Sequence, residues 1–173
     1  TLGILYPEAE SANAKKIWAI YDDDRSPDGT TALFYLLSDP AVELKAINIS
    51  YGEAHPAIYI QHIGRKLDDF GIRGIPLGAG QDAPLAGHNG FPEWLRESAN
   101  NFWGLPIPNP QKSYPVQNAA ELMVSIINRS PEPITIFISG PCTNLAQALR
   151  LDSGIKNNIA AVYSGMGQFA KAL

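Results

Sequence analysis

Residues 17–37 read IWAIYDDDRSPDGTTALFYLL, and their reading decides the fold. The first five are apolar and rich in strand formers, with no polar residue to turn toward water. Such a strand is covered on both faces, as strands of parallel sheets are. Three aspartates and Arg25 end the run. Residues 28–37 then read as a helix, with Asp28 as its expected N-cap. A strand that feeds a helix through a short polar tip is the opening of a βαβ unit.

The pattern continues outward. Residues 42–51 (VELKAINISY) read as a second strand. A helix over 57–70 follows, with Ile60, Ile63, Leu67 and Phe70 on one stripe and Gly71 as its stop. Residues 75–79 are a short third strand, 118–128 a helix, and 134–138 (ITIFI) a fourth strand. Residues 143–150 form a helix with Thr143 as expected cap, and 159–163 a fifth strand. The expected fold is α/β, a mostly parallel Rossmann-like sheet with flanking helices. Residues 1–14 read as a tail and 15–173 as one domain. Residues 80–116 hold six prolines and cannot be one regular element. Phe91, Trp94, Phe102 and Trp103 in this stretch predict an ordered loop with a short helix near 93–99.

Composition removes several classes of function. The 173 residues carry a net charge of -4, so no basic excess exists to neutralise a nucleic acid backbone. One cysteine and three histidines exclude a Cys-rich zinc module. No apolar run approaches the ~18 residues of a membrane span. The chain begins at Thr1, not Met, which leaves export open beside a cytoplasmic location.

In parallel sheets, ligands bind beyond the carboxyl ends of the strands. The first tip is the most telling: Asp22, Asp23, Asp24 and Asp28 fall within seven residues. Like charges this close are best tolerated where a cation or a catalytic demand compensates. A solvated acidic turn is the plain alternative. Asp24-x-Ser26-x-Asp28-Gly29 resembles the start of a helix–loop–helix calcium loop. That loop needs a Glu where Tyr35 stands, and a helix where a strand precedes, so it is excluded. Asp22-x-Asp24 after a first strand also fits an aspartyl phosphotransferase of the haloacid dehalogenase type, with Ser26 where Thr or Val is usual.

A third reading comes from a wider match. DDDRSPDGTTALFYLL followed by DPAVELKAINISYGE resembles, without a gap, the N-terminal signature of the inosine–uridine preferring nucleoside hydrolases. IPLGAGQDAPL at 75–85 and ITIFISGPCTNLAQALR at 134–150 are similar to the family's third- and fourth-strand segments. The resemblance runs from residue 15 almost to the end. It implies hydrolysis of the N-glycosidic bond of a ribonucleoside through an oxocarbenium-like transition state, which nearby carboxylates stabilise. It implies a Ca²⁺ ion that binds the attacking water and the ribose hydroxyls.

By position, the resemblance makes Asp24 the general base and a metal ligand, and Asp22 a supporting residue near the metal. Asp28 contacts ribose and is also placed toward the metal, and Ser139 lends its backbone carbonyl to the metal. It gives Thr143 and Asn144 a capping role. Gly29 stands where the family has a second paired Asp that ligates calcium, a place that Asp23 or Asp28 would take if the loop shifts. Glu53 stands where the family has an Asn that touches ribose, and would accept from ribose hydroxyls or supply the missing charge to the metal. Gly165-Met166-Gly167 stands for Met-Gly-Gly. Family members are about twice as long, and the further half holds the leaving-group acid.

His55, beside Glu53, is a candidate for the substrate site. His62 reads as a packed or surface residue of its helix, His88 as a weaker candidate, and Cys142 as a small packed residue. The contrasting reading is a truncated or degenerate riboside-binding protein without catalysis. The expected partner is a small ribonucleoside, with no nucleic acid and no membrane. An exposed sheet edge would favour a homo-oligomer.

Overall fold

The computed structural model describes residues 15–85 and 90–165. Among these, six strands form one parallel sheet: β1 (Ile17–Asp23), β2 (Val42–Ile49), β3 (Leu77–Ala79), β4 (Gln117–Asn118), β5 (Ile134–Ile138) and β6 (Ile159–Ser164). Their spatial order is β4-β3-β2-β1-β5-β6. The helices are α1 (Pro27–Ser38), α2 (Pro56–Asp69), α3 (Glu93–Asn100), α4 (Ala119–Arg129) and α5 (Thr143–Leu151), with 3-10 turns at Phe102–Gly104 and Ser153–Asn158.

Apolar cores cover both faces. Ala19, Tyr21, Leu33, Ile47, Ile60 and Ile63 pack on the side of α1 and α2. Ile20, Met123, Ile127, Ile136, Leu145 and Ala148 pack on the side of α4 and α5. Burial on both faces is why these strands carry no alternation of polar residues.

Four expectations change in detail. Ser26, not Asp28, caps α1: its side chain accepts from Gly29 N at 3.1 Å, and Pro27 opens the helix. A proline fits there because the first helical N–H has no partner in any case. Asp28 lies in the first turn, where a negative charge complements the helix dipole. Thr143 is likewise the first residue of α5, behind an N-cap at Cys142 that makes no side-chain capping bond. The third strand starts at Leu77, after Pro76, which has no N–H to give a ladder. β4 was not expected as a strand. It has two exposed polar residues, too few for any periodicity, and Asn118 goes on to cap α4 from Ala120 N and Glu121 N.

The proline-rich stretch carries α3, the short helix expected near 93–99. Phe102 packs against the α2-side core, while Trp94 and Trp103 stay exposed. Phe102 and Trp103 have φ of 52° and 55°, a left-handed conformation that bulky side chains rarely adopt.

Candidate functional site

The strand order reverses between β1 and β5, and an open crevice forms at such a point beyond the strand ends. The aspartate cluster sits there. β1 runs two residues further than its apolar stretch. Asp22 pairs with Asn48 on one side and Ile138 on the other, and Asp23 pairs with Ile49. The main chain thus holds both carboxylates in the middle of the sheet. The neighbouring tips fasten to the same strand end. Ser139 N donates to Asp22 O at 2.9 Å, Ser50 N to Asp23 O at 2.7 Å, and Ala54 N to Asp24 O at 3.3 Å. Gly52 permits this closeness, because a Cβ there would overlap the Asp24 carboxylate.

Successive side chains of a strand point to opposite faces. On the α5 side, Asn144 Nδ2 donates to Asp22 Oδ1 at 2.9 Å. On the α1 side, Ser139 Oγ donates to Asp23 Oδ1 at 2.8 Å, and lies 2.6 Å from Tyr21 Oη. Tyr21 Oη in turn donates to Gly29 O at 2.5 Å. Asp24 Oδ1 accepts from Ser26 N at 3.3 Å. Asp22, Asp23 and Asp24 are all buried. Asp22 Oδ2 and Asp23 Oδ2 have no hydrogen-bond partner among the described residues.

Three buried carboxylates side by side resist ionising. Burial, then the Asp23 and Asp24 charges, pushes Asp22 up to about 8 against the lowering bond from Asn144. Burial raises Asp23 to about 6, opposed by the bond from Ser139. Burial, followed by the charges of Asp23 and Glu53, raises Asp24 to about 7. Burial also drives the Tyr21 phenol far above its ordinary value, so it stays a neutral donor.

The structure brings Asp22, Asp24 and Ser139 together. Glu53 is half-buried at the second tip, and its charge reaches Asp24. Asp28 is exposed and borders an apolar groove of about 900 Å³ with Tyr35, Phe137, Ser139 and Tyr163. His55 is turned to α3: its Nδ1 lies 2.7 Å from Asn100 Nδ2 and its Nε2 3.1 Å from Glu93 Oε1. His62 is buried edge-on to Phe102 at 4.7 Å, and burial lowers its pKa. Cys142 is exposed, not packed, because it stands at the helix entry with Sγ 3.8 Å from Ser164 Oγ. His88, Met166, Gly167 and residues 1–14 lie outside the described residues.

Several residues escaped the sequence. Asn144 does not cap its helix; its side chain is bound to Asp22. Tyr21 was hidden in an apolar strand. Arg25 is buried at φ 83°, with its guanidinium 4.8 Å from the Phe102 ring centre and 5.9 Å from that of Tyr59. Arg96 is buried against the Tyr51 ring and donates to Gly52 O at 3.2 Å, Ala54 O at 3.1 Å and the Asp82 carboxylate. Arg96→Met is expected to cost about 3–5 kcal/mol by stranding these acceptors. Urea denaturation would measure it, and a cost below about 1 kcal/mol would show that the bonds do not brace the tip.

A hard divalent cation matches the donors present, since they are carboxylate oxygens and two of those are buried and unpaired. Among the described residues, no three His, Cys, Asp or Glu side chains converge closely enough to hold a metal by themselves. No described helix is long and apolar enough to cross a membrane.

The family model described as inosine-uridine preferring nucleoside hydrolase matches residues 19–172. The chain belongs to the inosine–uridine preferring nucleoside hydrolase family. That membership displaces the haloacid dehalogenase reading of Asp22-x-Asp24. Among curated relatives, the pyrimidine-specific ribonucleoside hydrolase RihA of Citrobacter koseri is 29% identical over 143 residues, covering 83% of this chain and 46% of that protein. RihA of Salmonella arizonae is 30% identical over 146 residues, with the same coverage. Among solved structures, an inosine-guanosine nucleoside hydrolase matches with a TM-score of 0.76 at 24% identity, over 88% of this chain and 50% of that one. The purine-preferring ribonucleoside hydrolase from Gardnerella vaginalis matches with 0.74 at 21%, over 87% and 49%. These likenesses show the nucleoside hydrolase fold. The chain spans about half the length of the curated relatives it matches.

Proposed function

We propose that this chain carries the metal- and ribose-binding part of an enzyme that hydrolyses the N-glycosidic bond of ribonucleosides, giving ribose and free base. The observation that carries this is the set of buried, incompletely paired carboxylates at the strand-order reversal of a nucleoside hydrolase family sheet. Calcium suits these oxygen donors; Asp24 and the Ser139 carbonyl would hold it, with Asp22 in support from the other face of the strand. When bound, such an ion acidifies a coordinated water.

The chain's own residues do the rest. Asp24, buried at the mouth of the crevice, is the carboxylate placed to accept a proton from an attacking water. Asp28 and Glu53 offer acceptors to ribose hydroxyls from α1 and the second tip. The clustered negative charge favours a sugar that becomes cationic as the base leaves.

The test is to incubate the chain with calcium and inosine, uridine or p-nitrophenyl riboside, and to follow release of the base or nitrophenolate. Release above background is the expected result. Gly29, which has no side chain to offer a metal, favours a second reading, riboside binding without hydrolysis. Saturable binding of ribose or nucleoside with no release would decide for it.

A further inference from the structure

Gly29 stands at the third position of α1, inside a helix, without positive φ. Nothing in its backbone requires glycine, and helices disfavour glycine relative to alanine. What requires it is space. A Cβ built on Gly29 would overlap Asp23 Oδ1 and come within 2.9 Å of Asp23 Cγ and of Ser139 Oγ. The Asp23 carboxylate therefore occupies the volume into which a side chain at 29 would project.

Asp23 is held in that volume. Ser139 Oγ donates to its Oδ1 at 2.8 Å, while Tyr21 Oη spans Gly29 O and Ser139 Oγ at 2.5 and 2.6 Å. The strand ladder fixes its backbone opposite Ile49. The backbone N–H groups of Asp24 and Arg25 also favour this carboxylate, but its second oxygen, Oδ2, is buried and makes no well-formed hydrogen bond among the described residues. A buried carboxylate oxygen with no donor is costly unless something positive meets it.

We infer that Asp23 is a metal ligand of this chain, delivering from β1 the carboxylate that Gly29 cannot deliver from α1. This rests on the cation proposed above. The charge has changed its point of attachment, from helix to strand, while the space it fills is the same. Gly29 and Asp23 are then one exchanged pair, and neither substitution is independent of the other.

The test is a double-mutant cycle of Asp23→Ser, Gly29→Asp and both together. In EDTA, Gly29→Asp alone is expected to lower the melting temperature by more than about 5 °C, and by under about 2 °C in the Asp23→Ser background. By calorimetry, Asp23→Ser is expected to weaken calcium binding at least about tenfold, and the double variant to return within about threefold of the parent. Equal destabilisation by Gly29→Asp in both backgrounds would overturn the exchange. Unchanged calcium affinity in Asp23→Ser, or a double variant no better than it, would overturn the ligand. A parent chain that binds no calcium would refute the ligand role together with the cation reading, while the EDTA arm still decides the exchange of place.

Discussion

With Asp24 as the general base of the hydrolysis proposed above, replacing it by Asn is expected to lower riboside hydrolysis by about 10²–10⁴-fold. The substitution keeps size and shape. An Asn Oδ1 still accepts from Ser26 N, now 3.3 Å from Asp24 Oδ1, and the tip still closes over it through Gly52. What disappears is the ability to take a proton and one negative charge toward a cation. Calcium affinity is therefore expected to fall with activity, both read on the same preparation by calorimetry and by nitrophenolate release. Metal-free stability should move the other way. Asp24 is buried beside Asp23 and within reach of Glu53, so removing its charge relieves repulsion. Equal calcium binding by parent and variant would sink the assignment of Asp24 to the metal.

The second large effect is a reversal of the usual acid sensitivity of proteins. Asp22, Asp23 and Asp24 have folded-state values of about 8, 6 and 7 against an ordinary 3.8, chiefly through burial. Groups raised in the fold bind protons more tightly there than in the unfolded chain. Their contribution to stability is complete below about pH 4 and is lost as pH rises through about 6 to 8. In EDTA, the melting temperature is expected to fall by about 5–15 °C between pH 5 and pH 8.5, a loss on the order of several kcal/mol. Calcium at saturating concentration is expected to restore most of that loss at pH 8.5 and little of it at pH 5. A metal-free melting temperature that is flat or rising over this range would show that the carboxylates ionise freely.

The fold was legible because its strands are covered on both faces. Stretches such as ITIFI at β5 announce themselves by composition, and stripes such as Ile60, Ile63 and Leu67 by spacing. β4 was not legible, since two polar residues that pair with β3 carry no pattern. Local capping was misread where two side chains competed. Ser26 with Pro27 behind it outweighs Asp28 as a cap, and the pair fixes where α1 begins.

In the site, the run of aspartates marked the place but not the geometry. That Asp22 and Asp23 face opposite sides of the sheet follows from the strand running on to Asp23, which charged residues at its end concealed. Asn144 came out as a partner of Asp22, not a cap, because α5 enters the sheet face at Cys142. His55, beside Glu53 in sequence, is drawn to Asn100 and Glu93 of α3, a contact between positions 45 and 38 residues apart that no local pattern records. Tyr21 and Arg96 act through bonds to backbone carbonyls, which leave no trace in residue type.

The backbone bonds that tie the end of β1 to its neighbours are accepted by the carbonyl oxygens of Asp22, Asp23 and Asp24, beside the side-chain bonds that Asn144 and Ser139 make. The main-chain part of the frame therefore does not depend on which of these positions carries a carboxylate, so long as Gly52 leaves room for the tip. An acidic group can then be supplied from an adjoining position, as proposed for Asp23 and Gly29, while the main-chain frame keeps its shape. A chain of this kind can drift in where it keeps its carboxylates and still present the same concentration of negative charge to the same point in space.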